Sequence, residues 1–422
     1  MGLRRISTAA LLATALAGCS TTAAPAGTAA PAGTAARSGV PSGVSSGGPS
    51  AAPSSSDARE EAWTGTWSAA MQDGGRTFRK QTLRQIVHTS IGGESARLRL
   101  SNEFGTAPLT LEDVSVARRV KGGTIDPDTD QPVTFGGATS VTIPAGETLA
   151  SDAITVAVPA DGDIAVTAYL PERTGATSRH ALALQTAYLV SGDRSTAATL
   201  SGASTLTSYF FLAGLDVVNP DAQGAVVAFG ASITDGLDSG TGRNRRWPNL
   251  LADRLRTSDR TIASLDAGIS GNRLTTDGDG ESAAKRFQRD VLDQPGVRWV
   301  IISDDAINDL GNGASAGELT AALGELIQRG HDAGITVICS TLTPFRGSGY
   351  WTSDGEQGRA AVNAYLRSAA SGCDAVLDQD TATHDPSAPT RYLGRYDSGD
   401  HLHPNAEGMQ AIADAVDLSW FS

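Results

Sequence analysis

The spacing of apolar residues changes twice along the chain. Residues 20–56 consist of Ala, Gly, Pro, Ser and Thr with three exceptions, so they hold too little apolar surface to repay the entropy of ordering a backbone. From residue 63 to about residue 218, apolar and polar residues alternate, and after Gly224 short apolar runs alternate with stretches of helical period. The pattern therefore predicts a disordered linker followed by two folded regions of different class.

The alternating region predicts half-buried antiparallel strands. Its clearest runs are 96–100, 140–143, 154–158 and 164–169. Helical periodicity is nearly absent, so we predict a jelly-roll-like β-sandwich over residues 57–220. His88 and His180 lie in this region, and we interpret them as structural or surface residues because the region supplies no convergent catalytic set.

The region that follows predicts an α/β domain over residues 221–422. Apolar strands are predicted at 226–229, 262–266, 299–303, 336–340 and 375–378. Helices are predicted near 248–256, 282–290, 317–331, 357–370 and 405–417. Five apolar strands joined by helical crossovers form a parallel sheet covered on both faces. Ligands of such sheets bind beyond the carboxyl ends of the strands, so the residues after each strand are the candidates for chemistry.

Composition limits the partners and cofactors. The 422 residues include 33 basic and 46 acidic side chains, a formal charge of −13, which repels nucleic acid and other polyanions at long range. Three Cys are too few for a disulfide framework, and no Cys/His cluster has metal-ligand spacing. We expect no nucleic-acid partner, no metal and no cofactor, and we expect a monomer.

The first residues have the features of an export signal. Arg4 and Arg5 precede an apolar stretch at 9–17, and residues 1–18 are predicted to be a signal peptide too short to span a bilayer. The run Leu16-Ala17-Gly18-Cys19 resembles a bacterial lipobox. By that resemblance Cys19 would carry a lipid anchor on the outer face of the bacterial cell membrane, and residues 19–56 would be a tether of roughly 35 Å. Secretion without an anchor is the alternative.

Four short motifs follow the predicted strands. Ser232 lies in a Gly-rich turn after the first strand, where a hydroxyl can act as a nucleophile, although Ser in such a turn is also a common helix N-cap. Gly271 and Asn308 follow the second and third strands, and a backbone N–H and a side-chain amide are donors that stabilise an oxyanion. Asp400 and His403 stand on one late loop, at a spacing that lets the carboxylate orient the imidazole.

In order and spacing, these motifs resemble the SGNH (GDSL-type) hydrolase family over about 200 residues, from Gly224 to the C-terminus. The resemblance implies a three-layer fold with a five-stranded parallel sheet. It also implies Ser232 as nucleophile and Asp400 and His403 as the rest of a triad. The oxyanion donors would be Gly271, Asn308 and the backbone N–H of Ser232. Further stretches resemble a subgroup often associated with esters on plant polysaccharides, in which a β-rich domain precedes the hydrolase.

Two residues depart from the family pattern. Ala231 stands where the family has Asp before the nucleophile, and Ala306 stands where it has Gly in the Gly-x-Asn-Asp turn. Both flank the expected oxyanion site. The third strand ends in two acids, and we hypothesise that Asp304 or Asp305 supplies the carboxylate missing at position 231.

Other residues leave alternatives open. His401 competes with His403 as the base, although the family spacing favours His403. His384, beside Asp385, is interpreted as a surface residue. His331 lies at the end of a predicted helix, where a positive charge interacts favourably with the helix dipole, and we assign it a structural role. In an oxidising compartment Cys339 and Cys373 are predicted to form a disulfide, and two unpaired buried thiols are the alternative.

These observations favour an exported serine esterase that hydrolyses small acyl (acetyl-type) esters, on carbohydrate or on a small molecule, through an acyl-enzyme. No long apolar lid or acyl channel is visible between the motifs. A lipase or phospholipase is the second interpretation. A non-catalytic carbohydrate-binding lipoprotein is the alternative from a different class, and the joint presence of all five site residues argues against it.

Overall fold

Between residues 63 and 218 the alternating pattern folds into antiparallel strands. The computed structural model describes residues 62–422, so the predicted signal peptide, Cys19 and the linker lie outside the described residues. The strands of the β-rich region are β1 (Trp63–Ser68), β2 (Gln81–Thr89), β3 (Gly93–Ser101), β4 (Leu109–Lys121), β5 (Thr124–Ile125), β6 (Gln131–Pro132), β7 (Ser140–Ile143), β8 (Thr148–Ala150), β9 (Ile154–Val158), β10 (Gly162–Leu170), β11 (Arg179–His180), β12 (Ala187–Ser191), β13 (Ser204–Leu206), β14 (Tyr209–Phe210) and β15 (Leu212–Val218).

These strands form two larger sheets and one small pair. The first sheet has the order β1-β15-β3-β8 with β9 paired to β3, and the second has the order β13-β12-β2-β10-β4-β5 with β6 and β7 paired to β4. The remaining pair is β11 with β14. Burial alternates along β9, where Ile154, Val156 and Val158 are buried and the residues between them are exposed. The prediction of an all-β region before the α/β region is confirmed.

The α/β region is built on a parallel sheet. Its strands are β16 (Gly224–Gly230), β17 (Ile262–Gly268), β18 (Val297–Ile302), β19 (Thr336–Ser340) and β20 (Ala375–Leu377), in the order β17-β16-β18-β19-β20. Every residue of β16 is buried, as expected for a central strand covered on both faces. The predicted five-stranded parallel sheet is confirmed.

Helices connect these strands. They are α1 (Ser232–Asp235), α2 (Trp247–Thr257), α3 (Ala283–Phe287), α4 (Asp305–Gly311), α5 (Ala316–Asp332), α6 (Ser353–Leu366), α7 (Gln379–Thr383) and α8 (Ala406–Ala415), and a π-helical turn (Gln288–Leu292) continues α3. Helix α5 begins with a capping box, in which Ser315 accepts from the Glu318 N–H and Glu318 accepts from the Ser315 N–H. A hairpin of β21 (His384–Asp385) and β22 (Ala388–Tyr392) precedes α8.

The β-rich region and the α/β region bond to each other directly. The N–H of Gly65 in β1 donates to the carbonyl of Pro295 at 2.9 Å. Ser68 Oγ donates to the carbonyl of Asp266 in β17 at 3.0 Å. Both regions lie in one compact unit of the chain, Ala58–Ser422, so residues of the β-rich region are available to support groups at the edge of the parallel sheet.

Cys339 and Cys373 are joined in a disulfide, with their Cα atoms 5.8 Å apart. The bridge ties the end of β19 to the turn before β20, the neighbouring strand. The alternative of two unpaired thiols does not describe this structure.

Among residues 62–422, no helix combines the length and the apolar character needed to cross a membrane.

Candidate active site

Three of the predicted site residues lie in one hydrogen-bonded line. Ser232 is the first residue of α1, directly after the turn that ends β16. Its Oγ lies 2.8 Å from His403 Nε2, and His403 Nδ1 lies 2.6 Å from Asp400 Oδ2. Ser232 and His403 are both buried. The structure thus brings a hydroxyl, an imidazole and a carboxylate together, although Ser232 and His403 are 171 residues apart in sequence.

Asp400 is held as an anion. Its Oδ1 accepts the backbone N–H groups of Leu402 and His403, both at 2.9 Å. Partial burial opposes ionisation, but the hydrogen bonds from the His403 side chain and from these two N–H groups dominate and lower the pKa of Asp400 to about 2. An ionised Asp400 binds His403 Nδ1 as a donor, which leaves Nε2 as the acceptor that faces Ser232.

The other histidines do not reach Ser232. His401 pairs with Asp397 through Nδ1, is largely exposed and has a positive φ of 63°. His331 pairs with Asp374 at 3.0 Å near the end of α5. Of His401 and His403, the structure therefore places His403 at the hydroxyl of Ser232.

The predicted oxyanion donors lie at the start of α1, in the turn after β17 and in α4. Gly271 has φ +81°, and a Cβ there would lie 2.3 Å from Asp279 Oδ2, so the position requires glycine. Asn308 Nδ2 donates to the carbonyl of Asn272 at 2.8 Å. Within residues 62–422, the backbone N–H groups of Ser232 and Gly271 have no hydrogen-bond acceptor. Two backbone donors and the second N–H of the Asn308 amide are therefore free to bind an oxyanion.

The Gly271 turn is bonded to both helices that flank it. Asp235 of α1 accepts the N–H of Ser270 at 2.9 Å. On the other side, Asn308 of α4 bonds to Asn272. The turn is thus held between the helix that carries the nucleophile and the helix that carries the amide donor.

Asp304 supplies the carboxylate that is missing at position 231. Its Oδ1 accepts the N–H of Ala231 at 3.1 Å and the hydroxyl of Thr234 at 2.6 Å, and its Oδ2 accepts the N–H of Ile233 at 2.9 Å. The acid therefore binds the amides on both sides of Ser232. The contacts confirm the hypothesis for Asp304.

Asp305 has a different partner. It is buried, and its Oδ1 accepts from Arg286 Nη2 at 3.3 Å. Burial raises the pKa of Asp305 to about 7, although the charge of Arg286 opposes this shift and Asp304 adds to it. Asp305 thus belongs to an ion-pair cluster with Arg286 rather than to the Ser232 turn.

Arg286 is a supporting residue that the sequence did not reveal. Its guanidinium is fully buried and donates to the carbonyls of Gly230 at 2.8 Å and Ala267 at 2.7 Å and to Asn272 Oδ1 at 2.9 Å. Arg286 therefore ties the ends of β16 and β17 to the Gly271 turn. The one available signal was its position in α3 one residue before the buried Phe287, which alone does not distinguish a buried Arg from an exposed one.

The second departure, Ala306, is accommodated by packing. It lies in the first turn of α4 and is buried in the hydrophobic core. Asn308, two residues later in the same helix, bonds to Asn272.

A second acid, Asp238, lies beside Asp400 and His403. Oxygen atoms of Asp238 and Asp400 and a ring nitrogen of His403 lie within 4.8 Å of one another. Both ring nitrogens of His403 are already engaged, by Ser232 and by Asp400. We therefore assign no metal site to this group.

A parallel sheet that carries a hydrogen-bonded Ser, His and Asp beyond the ends of its strands has the arrangement of a serine hydrolase. Residues 228–411 match the GDSL-like Lipase/Acylhydrolase family. This match lies within the α/β region, and it supports an ester hydrolase of the SGNH, or GDSL, type there.

Several solved structures are similar to part of this chain. An acetyl xylan esterase, AlAXEase, is 21% identical, with 45% of this chain and 96% of that chain covered and a TM-score of 0.36. LAE5, an alpha/beta hydrolase enzyme from the metagenome of Lake Arreo, Spain, is 23% identical, with 46% and 93% covered and a TM-score of 0.36. A carbohydrate acetylesterase family member from Sinorhizobium meliloti is 18% identical, with 46% and 94% covered and a TM-score of 0.37. A search of curated proteins finds no match.

Proposed function

We propose that this protein is an exported serine esterase that removes small acyl groups of the acetyl type from carbohydrate through an acyl-enzyme. The observation that carries the proposal is the unbroken relay from Ser232 Oγ through His403 to Asp400, with contacts of 2.8 and 2.6 Å. No cofactor takes part in this mechanism.

The relay accounts for both halves of the reaction. His403 Nε2 takes the proton of Ser232 Oγ as the oxygen attacks the ester carbonyl, and Asp400 stabilises the imidazolium that forms. His403 then returns the proton to the leaving alcohol, and the acyl group remains on Ser232. In the second half, His403 activates a water molecule that hydrolyses the acyl-enzyme and restores the Ser232 hydroxyl.

The oxyanion donors act on the tetrahedral intermediate of each half. The N–H groups of Ser232 and Gly271 and the amide of Asn308 would bind the carbonyl oxygen as its negative charge develops. Asp304 holds the backbone N–H of Ser232 in position, because it accepts the N–H groups of the two neighbouring residues, Ala231 and Ile233. The N–H of Ser232 is left to bind the substrate.

Surface composition favours a short acyl group and a neutral alcohol. Within residues 62–422, Val120 and Tyr350 are the exposed large hydrophobic side chains, so this part of the chain offers no broad apolar face of the kind that adsorbs to lipid. The formal charge of −13 also disfavours an anionic phospholipid surface over a neutral polysaccharide.

A chain-length series tests the substrate class. We expect kcat/KM for p-nitrophenyl esters to be highest for acetate and to fall at least about tenfold by octanoate, since each added CH₂ must find apolar surface to gain binding energy. Acetylated xylan should release acetate. A maximum at palmitate would favour the lipase interpretation, and a wild-type protein inactive on all these esters would favour the carbohydrate-binding lipoprotein.

The location of the enzyme is a further part of the proposal. The lipobox-like run that ends at Cys19 supports a lipid anchor at the outer face of the bacterial membrane. We expect wild-type protein to partition with membranes and Cys19→Ala to appear in the soluble fraction or the medium, as shown by fractionation and immunoblotting. Equal recovery of both proteins from the medium would support secretion without an anchor.

A further inference from the structure

A buried histidine of the β-rich region reaches the helix of the nucleophile. His180 Nδ1 lies 3.0 Å from the carbonyl oxygen of Ala70, and its Nε2 lies 3.1 Å from both the carbonyl oxygen of Leu182 and Asp235 Oδ1. All three partners are acceptors. A neutral imidazole donates from one nitrogen only and would direct a lone pair at an oxygen, so the contacts match a doubly protonated, positively charged ring.

Other ionisable groups also face this histidine. Asp266 of β17 and Arg246 before α2 lie beside it and contact each other at 3.5 Å, and Tyr209 of β14 and His88 of β2 line the same cavity. Burial disfavours the charged ring, but the charge and hydrogen bond of Asp235, with smaller contributions from Ala70 and Asp266, raise the pKa of His180 overall. Burial also raises the pKa of Asp266, to about 6. The carboxylate that contacts the ring of His180 directly is that of Asp235.

Asp235 connects His180 to the oxyanion turn. It lies three residues after Ser232, at the end of α1, and is buried. While Oδ1 accepts from His180, Oδ2 accepts both the N–H of Ser270 at 2.9 Å and its hydroxyl at 2.7 Å. Ser270 immediately precedes Gly271, whose N–H is a proposed oxyanion donor.

We propose that His180 is a positioning residue for ester hydrolysis: through Asp235 it holds Ser270, and thereby the Gly271 N–H, in place. The inference rests on the proposed function, because it assigns the Gly271 turn to the oxyanion. It gives the β-rich region a part in catalysis, since a residue of that region completes the support of the turn. The Asp235 carboxylate, buried at low dielectric, loses a charged donor when His180 is removed, and the turn that it holds loses its fixed position.

The kinetic signature of this role is a loss in kcat. An oxyanion donor interacts with charge that develops in the transition state, so displacement of the donor slows the reaction without weakening ground-state binding. For p-nitrophenyl acetate we expect His180→Ala to lower kcat about ten- to hundredfold and to change KM less than about twofold, with His180→Gln intermediate. The matched control is His88→Ala, in the same region and also paired with acids, Asp161 and Asp163, which should leave kcat unchanged.

A double-mutant cycle separates positioning from general structure. If His180 acts through Ser270, the variant with both His180→Ala and Ser270→Ala should lose about as much kcat as the more damaged single variant. Multiplied losses, or a lower melting temperature of His180→Ala with wild-type kcat, would overturn the inference. If His180→Ala does not fold, Asp235→Asn tests the same link from the hydrolase side and should show the same loss in kcat.

The protonation of His180 gives a readout that does not depend on turnover. A titration followed by NMR should show the ring charged at pH 7, with the pKa lowered in Asp235→Asn. Because the folded-state pKa is raised, the bond to Asp235 is fully present below the ordinary value of about 6.5 and is lost as pH rises through the folded-state pKa. A neutral ring at pH 7 would refute the charged link even in a protein without esterase activity, whereas a wild type that hydrolyses no ester refutes only the proposed function.

Discussion

Replacement of Ser232 by Ala is expected to lower kcat for p-nitrophenyl acetate by about 10⁵-fold, because the variant has no oxygen that can form the acyl-enzyme. The oxyanion donors remain, so weak residual turnover above the uncatalysed rate is expected. Among residues 62–422, the side chain of Ser232 bonds only to His403, and its loss should leave the melting temperature close to that of the wild type. Initial rates and thermal melts of both proteins measure the two effects.

The nearby residue Ser239 supplies a matched control for this variant. It is buried, and its Oγ has no hydrogen-bond partner within the described residues. Ser239→Ala should therefore keep kcat within about twofold of the wild type. A phosphonate ester should form an adduct on Ser232 in the wild type and none in Ser232→Ala, as measured by mass spectrometry. Wild-type turnover in Ser232→Ala, or an adduct on another residue, would remove the serine mechanism.

The parts of the fold that were predictable have a strong periodic signal. Strand β16 is a short continuous apolar run, and α5 repeats its apolar residues over several turns. The pattern of apolar residues along the sequence therefore indicated a strand and a helix. Helices α1 and α4 span only four and seven residues, too few for a helical period to be read. Their conformation depends on tertiary contacts such as those of Asp304, which the local sequence does not contain.

Some residues of the candidate site were likewise predictable from the sequence, and others were not. Ser232, Asp400 and His403 were predictable because the motifs that contain them resemble, in order and spacing, those of the SGNH (GDSL-type) family, and the carboxyl ends of parallel strands meet at one edge of the sheet. His180 and Arg286 were not, since neither lies in one of those motifs, and the contact of His180 with Asp235 exists only in the folded chain. A charged side chain can be buried when it is paired with other polar groups, and those groups can be identified only in the folded structure.

Asp304→Ala is the second variant for which we expect a large loss, roughly 10²- to 10³-fold in kcat. The carboxylate accepts the N–H groups of Ala231 and Ile233 and the hydroxyl of Thr234. Without it, three buried donors are left unpaired around the nucleophile, and both the Ser232 hydroxyl and its N–H can move. Steady-state kinetics should show the change in kcat rather than KM, with a lower melting temperature as well.

The family pattern suggests a variant that restores a carboxylate near Ser232 after Asp304 has been removed. Ala231 is fully buried, adjacent to Ser232, and stands where the family has Asp. Ala231→Asp alone should also lose activity, because it crowds a second buried carboxylate against Asp304, and two like charges there cannot both stay ionised without cost. Combined with Asp304→Ala, the same substitution should recover at least about tenfold in kcat over Asp304→Ala alone, since one carboxylate again serves the turn. If the losses of the two single variants instead multiply in the double variant, the two positions do not exchange roles, and Asp304 supports the turn by packing rather than by its charge.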